Sequence, residues 1–234
     1  MSNNSWFEKL LKPKKKEAGK IVPCEKKENK NKKEKGIVIA IGRELGSGGR
    51  KVAKEVAKRL NLEYYDKEII TKAAKENGID ENLFKQVDEA DLDSFWYEFS
   101  VNAYEKEEKN TSYKEMAAAD KLFMVQSDAI RDIAKKGGAV IVGRCATYIL
   151  KNNSKKVFIC ANEKDRVKRI EKSYKVDEQK AKEIMEISDK KRENYHTYYT
   201  NQDWKDKKNY DLVINTSETG IEKAIEEVIK LAKS

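Results

Sequence analysis

Within nine residues, Gly42-Arg43-Glu44-Leu45-Gly46-Ser47-Gly48-Gly49-Arg50 brings together four glycines and two arginines. Glycines admit positive φ and close backbone approach, so successive N–H groups can turn toward one anion. A helix starting just after such a turn points its positive end at the same place. The chemistry implied is phosphate binding, by Gly42, Arg43, Gly46, Ser47, Gly48, Gly49, Arg50 and Lys51. The standard phosphate loop ends in Gly-Lys-Ser/Thr, whereas Gly48 is followed here by Gly49, Arg50 and Lys51. Both the usual lysine and the hydroxyl that holds magnesium are missing. Arg50 and Lys51 from slightly further along, and Arg43 from the other side, supply positive charge instead.

Other candidates are spread along the chain. Arg166 and Arg169 are three residues apart, on one face of a helix. Asp189 and Arg192 have the same spacing in a long charged segment. They read either as a surface i,i+3 ion pair or as a group that neutralises a transferring phosphoryl while the aspartate orients it. Tyr195, Tyr198, Tyr199 and Trp204 interleave with Lys205, Lys207 and Lys208 and read as a hydrophobic seam rather than a stacking platform for nucleic acid. His196 is the only histidine and has no partner at nucleophile or metal spacing. Cys24, Cys145 and Cys160 are odd in number and lack CxxC spacing, which argues against a disulfide scaffold and structural zinc.

The elements that must position these groups follow from periodicity. Residues 37–41 (IVIAI) form a continuous β-branched run, as expected of a strand buried on both faces of a parallel sheet. Similar runs recur at 139–142, 157–160 and 211–214, with a shorter one at 63–65, and helical patterns separate them. This alternation predicts an α/β fold: a parallel five-stranded sheet flanked by helices. Residues 80–136 break the pattern and predict a helical insertion. Residues 177–200 read as a charged helix, and 218–232 as an amphipathic helix packed back on the sheet.

Length and charge bound the rest. The 234 residues suit one core as the default, and the 39% charged composition implies a part that carries charge without burying anything. That part is the tail, 1–36, where twelve lysines face five glutamates and account for +7 of the formal +9. The remaining 37–234 is nearly neutral, so no nucleic-acid partner is expected of it. Within the tail, Trp6, Phe7, Leu10 and Leu11 share one side of a short helix, followed at once by Lys12, Lys14, Lys15 and Lys16. A disordered solubilising extension is the preferred reading, with a membrane-surface or protein contact through residues 5–16 as the alternative. No apolar run reaches bilayer length and no signal-peptide core is present, so a cytoplasmic location is expected.

Taken together, residues 37–66 (IVIAIGRELGSGGRKVAKEVAKRLNLEYYD), Gly143-Arg144-Cys145-Ala146 and Asp189-Lys190-Lys191-Arg192-Glu193-Asn194-Tyr195 resemble the cytidylate kinase-like family of P-loop proteins. The resemblance implies a P-loop NTPase-like fold, with 80–136 as a helical acceptor region and 163–208 as a helical lid. It implies ATP as phosphoryl donor with Mg2+, and a nucleoside monophosphate, CMP- or dCMP-like, or a related small acceptor as substrate. Asp66 matches the acidic residue at the edge of the acceptor site, although an aspartate there also suits a helix N-cap. Gly143 and Arg144 match the Gly-Arg whose arginine grips the acceptor phosphate. Cys145 stands where those kinases carry an aspartate that helps read cytosine. Arg166 and Arg169 match arginines near the start of the lid, facing the phosphates on closure, and Asp189 and Arg192 match its Asp-x-x-Arg. The catalytic set is thus Arg50, Lys51, Arg166, Arg169, Asp189 and Arg192, with no metal ligand assigned. The alternative is a catalytically poor nucleotide-binding or sensing module, docked to a membrane or partner through the tail.

Overall fold

A computed structural model describes residues 36–66 and 113–234. The tail apart from Gly36, with its 5–16 segment, and the part of the expected insertion before residue 113 lie outside the described residues. The described chain runs β1 (Val38–Arg43), α1 (Gly49–Arg59), β2 (Glu63–Tyr65), α2 (Tyr113–Lys136), β3 (Ala139–Val142), α3 (Ala146–Ile149), β4 (Lys155–Cys160), α4 (Glu163–Tyr174), α5 (Glu178–Thr200), a 3-10 turn (Lys207–Asn209), β5 (Leu212–Asn215) and α6 (Thr216–Lys233). No helix among the described residues is long and apolar enough to cross a membrane.

The five strands form one sheet in the order β2-β3-β1-β4-β5. Every pairing is parallel, as the β-branched runs predict: Ile41 lies opposite Val142 on one side and Val157 on the other. The fold is therefore a P-loop NTPase-like α/β fold with helices on both faces. From β1 the chain goes to β2 and β3 on one side, then crosses to β4 and β5 on the other. The crevice beyond the carboxyl end of β1 is thus the topological switch point, where sheets of this kind open a binding site.

Strand alternation divides the core between two helical layers. Ile39 and Ile41 pack with Val52, Val56, Ile225 and Val228 of α1 and α6, while Val38 and Ala40 pack with Ile130 and Ile133 of α2 and with Ala146 and Leu150 beside α3. Ile39, Ala40 and Ile41 have no exposed surface, which is why the run carries no polar residue at alternate positions. A third cluster joins Val167 and Ile170 of α4 to Ala181 and Met185 of α5, with Leu45 of the glycine loop against it. The aromatic seam is split. Trp204 and Tyr210 close on Phe158 of β4, whereas Tyr195 and Tyr199 close on Phe123 of α2.

Candidate functional site

The loop between β1 and α1 is held by its carbonyls. Arg166 Nε donates to Leu45 O at 2.7 Å, Arg169 Nη1 to Gly46 O at 3.1 Å, and Thr216 Oγ1 to Ser47 O at 2.7 Å. In a trans peptide the N–H points opposite to the C=O. Tying three successive carbonyls toward α4 and the start of α6 therefore turns the amides of Gly46 and Gly48 the other way, while the Ser47 amide donates within the loop to Glu44 O at 3.4 Å. Gly46 and Gly48 have φ of 76° and 81°, and this alternation of backbone hands makes an anion-binding concavity. At Gly46 a Cβ would also stand 2.7 Å from Arg166 O, so the loop presses directly on α4. The α1 amides of Arg50 and Lys51, among the first four of the helix, lack intrahelical acceptors and lie just beyond.

Ser47 does not act as the absent metal-holding hydroxyl. Fully buried, its Oγ donates to Glu44 O at 2.8 Å and accepts from Gly49 N at 3.3 Å. The side chain is consumed in shaping the loop. Among the described residues no group of three or more His, Cys, Asp or Glu gathers at metal-binding distance.

On the β3 side of β1, guanidinium groups collect. Arg43, the last residue of β1, lies against Gly143, where any side chain would collide with its Nη1. Burial, and then the charges of Arg192, Arg50 and Arg144, depress the Arg43 pKa well below its ordinary value. Because a guanidinium holds its proton so firmly, the result is repulsion rather than neutralisation. Arg144, with a left-handed φ of 53°, stands over the Tyr195 ring at 5.5 Å, and its buried Nη2 has no hydrogen-bond partner among the described residues. A cavity of about 50 Å3 opens between Arg43, Gly143, Arg144, Arg192 and Tyr195. Asp66, at the end of β2, is buried and accepts from Tyr64 Oη at 3.3 Å. Tyr64 feels the charges of Asp66, Arg50 and Arg43, which places this carboxylate beside the same cluster.

The remaining candidates take other places. Arg166 and Asp189, expected at a lid face and in an ion pair, are only 7% and 8% exposed and bind each other through Arg166 Nη2 and Asp189 Oδ2. Asp189 Oδ1 also accepts from Leu45 N at 2.9 Å and from Arg192 Nη1 at 3.1 Å. It is therefore a buried bracket between the loop and α5, not a surface pair. Arg169 binds Thr216 Oγ1 at 3.0 Å as well as the loop carbonyl. Lys51 is exposed and acts on Glu222, a residue of α6, so it stands apart from the arginine cluster.

Two contributors went unread in the sequence. Buried Glu44 accepts from Ala161 N at 3.3 Å and pairs with Arg166 and Lys205, each at 3.4 Å, and Thr216 holds the loop from the far end of the chain. Nothing in the sequence signals Thr216. Asp189 did leave a trace, since Ala181, Met185 and Asp189 fall at i, i+4 and i+8 on the buried stripe of α5. Burial holds His196 toward its neutral form, and its Nδ1 lies 3.2 Å from Gln202 O and 3.1 Å from Thr200 Oγ1.

Comparison with known proteins bears on this geometry. No curated protein matches the sequence. Among solved structures, an uncharacterized protein from Eubacterium ventriosum is 29% identical, covering 85% of this chain and 99% of its own, with a TM-score of 0.64. Shikimate kinase from Bacteroides thetaiotaomicron is 12% identical over 85% of this chain and 99% of that one, with a TM-score of 0.48. Deoxyadenosine kinase from M. mycoides, solved with bound dATP, is 16% identical over 85% and 100%, with a TM-score of 0.42. A family model described as the cytidylate kinase-like family matches residues 38–218, a span that takes in the glycine loop, Gly143-Arg144 and the whole of α5. With the loop at the switch point of a parallel sheet and that match across most of its length, the chain belongs to the cytidylate kinase-like family.

Proposed function

We propose that the protein is a phosphotransferase of the nucleoside monophosphate kinase type, moving the terminal phosphoryl of ATP to an acceptor whose own phosphate sits among Arg43, Arg144 and Arg192. The observation that carries this reading is the gathering of Arg43, Arg144 and Arg192 around one small cavity at the end of β1, with the exposed Arg50 adding its charge from the first turn of α1. Like charges held together in a partly buried site repel unless an anion enters, and a phosphate dianion with its planar oxygen pairs suits guanidinium forks. CMP and dCMP are the first acceptors to try, on family grounds.

Catalysis on this reading is positioning and charge neutralisation, with no covalent intermediate. The amides of Gly46 and Gly48 and the N-terminus of α1 hold the donor phosphates, and Arg144 and Arg43 hold the acceptor. Arg192, fixed by Asp189, faces the group in transit. Arg166 and Arg169 act one step back, by keeping the loop carbonyls turned away. The loop itself does not fit a magnesium ion, because Ser47 is engaged within it and the first turn of α1 offers Gly49, Arg50 and Lys51 in place of a hydroxyl or acid; Asp66, beside the arginine cluster, would be the carboxylate to meet an ion carried in on ATP. Among the loop and cluster side chains, neutralisation therefore rests on the guanidiniums.

The test is a purified-protein assay with Mg-ATP and a panel of nucleoside monophosphates, following both ADP and the phosphorylated product. Transfer to at least one acceptor is expected, with Arg192→Ala slower by about a hundredfold or more. Absence of transfer to every acceptor, beside an active kinase control, contradicts it. The engagement of Ser47 favours a second reading, a nucleotide-binding module with little turnover, which binding without transfer would support. In either case the lysine-rich tail, 1–36, is proposed as a solubilising cytoplasmic extension, with a contact of residues 5–16 to a membrane surface or partner as the alternative.

A further inference from the structure

Helix α2 ends at Lys136 and β3 begins at Ala139, so the helix runs back along the sheet against the strand direction. Ile133 and Ile130, on its inner stripe, pack with Val38, Ala40, Ala139 and Ile141. Continuing toward the N-terminus of α2, the next inward position is Gln126. Ten residues of helix from Lys136 cover about 15 Å, and four residues of strand from Ala139 to Gly143 cover about 13 Å. Gln126 is thus level with Gly143, at the carboxyl edge of the sheet where Arg43 and Arg144 stand. One turn further, Phe123 stacks on Tyr199 at 3.8 Å and meets Tyr195 edge-on at 6.2 Å, and Tyr195 is the ring beneath Arg144.

Gln126 is an anomaly at this depth. It is 1% exposed, and both Nε2 and Oε1 lack hydrogen-bond partners among the described residues. Its neighbour Ser127 is satisfied by Phe123 O at 2.7 Å, so the lack of partners is not general along the helix. A buried primary amide with neither donor nor acceptor used lowers stability, and a leucine of similar size would serve the core better. Arg144 Nη2 is another buried nitrogen with no hydrogen-bond partner among the described residues.

We infer that Gln126 is a specificity-determining residue that reads the base of a nucleoside monophosphate, its amide pairing with adjacent donor and acceptor groups on the base edge while Arg144 and Arg43 hold the phosphate. The inference rests on the phosphate-pocket reading given above. An amide rotates to present either order of donor and acceptor, so it selects for a base over no base more strongly than among bases. Cys145 cannot supply this reading, since burial pushes its thiol up to about 12 and leaves it a weak, neutral donor.

The test compares CMP, UMP and AMP with ribose 5-phosphate, which carries the phosphate and sugar without a base, by calorimetry on the full chain. The wild type is expected to bind at least one monophosphate about tenfold or more tightly than ribose 5-phosphate. Gln126→Leu is expected to erase that preference, to leave ribose 5-phosphate binding unchanged and to raise the melting temperature, while Gln126→Asn restores part of the preference. Gln126→Leu that keeps the monophosphate preference, or that melts lower than wild type, overturns the inference while leaving the phosphate pocket standing. If neither ribose 5-phosphate nor any monophosphate binds, and Arg144→Ala changes nothing, the pocket itself is misread and the inference falls with it.

Discussion

Arg166 and Arg169 reach the glycine loop from the β4 side and find a carbonyl, a carboxylate or a hydroxyl for their donors. Arg43 and Arg144 stand on the β3 side of the same strand end, where Arg43 meets the charges of Arg192, Arg50 and Arg144, and Arg144 keeps a buried nitrogen unpartnered. One residue type thus does two jobs within one loop's reach. Saturated by protein groups, the first pair fixes the backbone, and its energy is spent in folding. The second pair sits among like charges, with the Tyr195 ring under Arg144 as its main protein contact, and on the proposed reading an arriving anion relieves that repulsion. The difference teaches that arginine count alone says little about a phosphate site, and that the state of each guanidinium's donors decides its role.

If the two sets differ in this way, removing members should move different observables. The largest effect is expected from Arg166→Ala, which removes the most buried partner of Asp189 and Glu44 and leaves them only Arg192 and the exposed Lys205 as cations. A loss of about 3–5 kcal/mol in denaturant unfolding, with no phosphate present, is the expected result. Next comes Arg144→Ala, which should weaken phosphate or monophosphate binding by about 10- to 100-fold, the loss of one charge-assisted contact of about 1.5–3 kcal/mol. Its unfolding free energy without ligand should hold or rise. An Arg144→Ala protein that unfolds as easily as Arg166→Ala would break the comparison.

A finer test is Thr216→Val, which deletes the hydroxyl that donates to Ser47 O and accepts from Arg169. A cost of about 1–2 kcal/mol is expected, with a weaker donor nucleotide as the loop loosens. Lys51→Ala should be the smallest, within about 0.5 kcal/mol in stability and without effect on phosphate affinity, since the side chain is exposed. A strong loss of nucleotide binding in Lys51→Ala would instead return that residue to the site.

The sheet was legible because a strand buried on both faces must be apolar throughout, and IVIAI, AVIV and VFIC satisfy that with no help from distant residues. The loop was legible for a similar local reason, since only glycines take the φ values of 46 and 48 cheaply. The sequence picks out Arg166, Arg169 and Asp189 by their spacing, but not the direction their side chains take. Whether an arginine on α4 faces outward to phosphate or inward to Leu45 O depends on where the loop sits, a contact 121 residues away in sequence. Asp189 was half legible, on a stripe with Ala181 and Met185, where its charge argued for the surface and its spacing for burial. Gln126 carried no sequence signal, because an unpartnered amide is a property of its surroundings rather than of its type.

On the proposed reading, the cluster of Arg43, Arg50, Arg144 and Arg192 binds a phosphate group. Calorimetric titration of the full chain with inorganic phosphate, at fixed ionic strength and with a metal chelator present, tests it most directly. The expected result is saturable binding to one site, lost in Arg144→Ala, with a matching gain of about 2.7 kcal/mol in stability at a hundred times the dissociation constant. Binding that fails to saturate, or that persists unchanged in Arg144→Ala, would contradict the account.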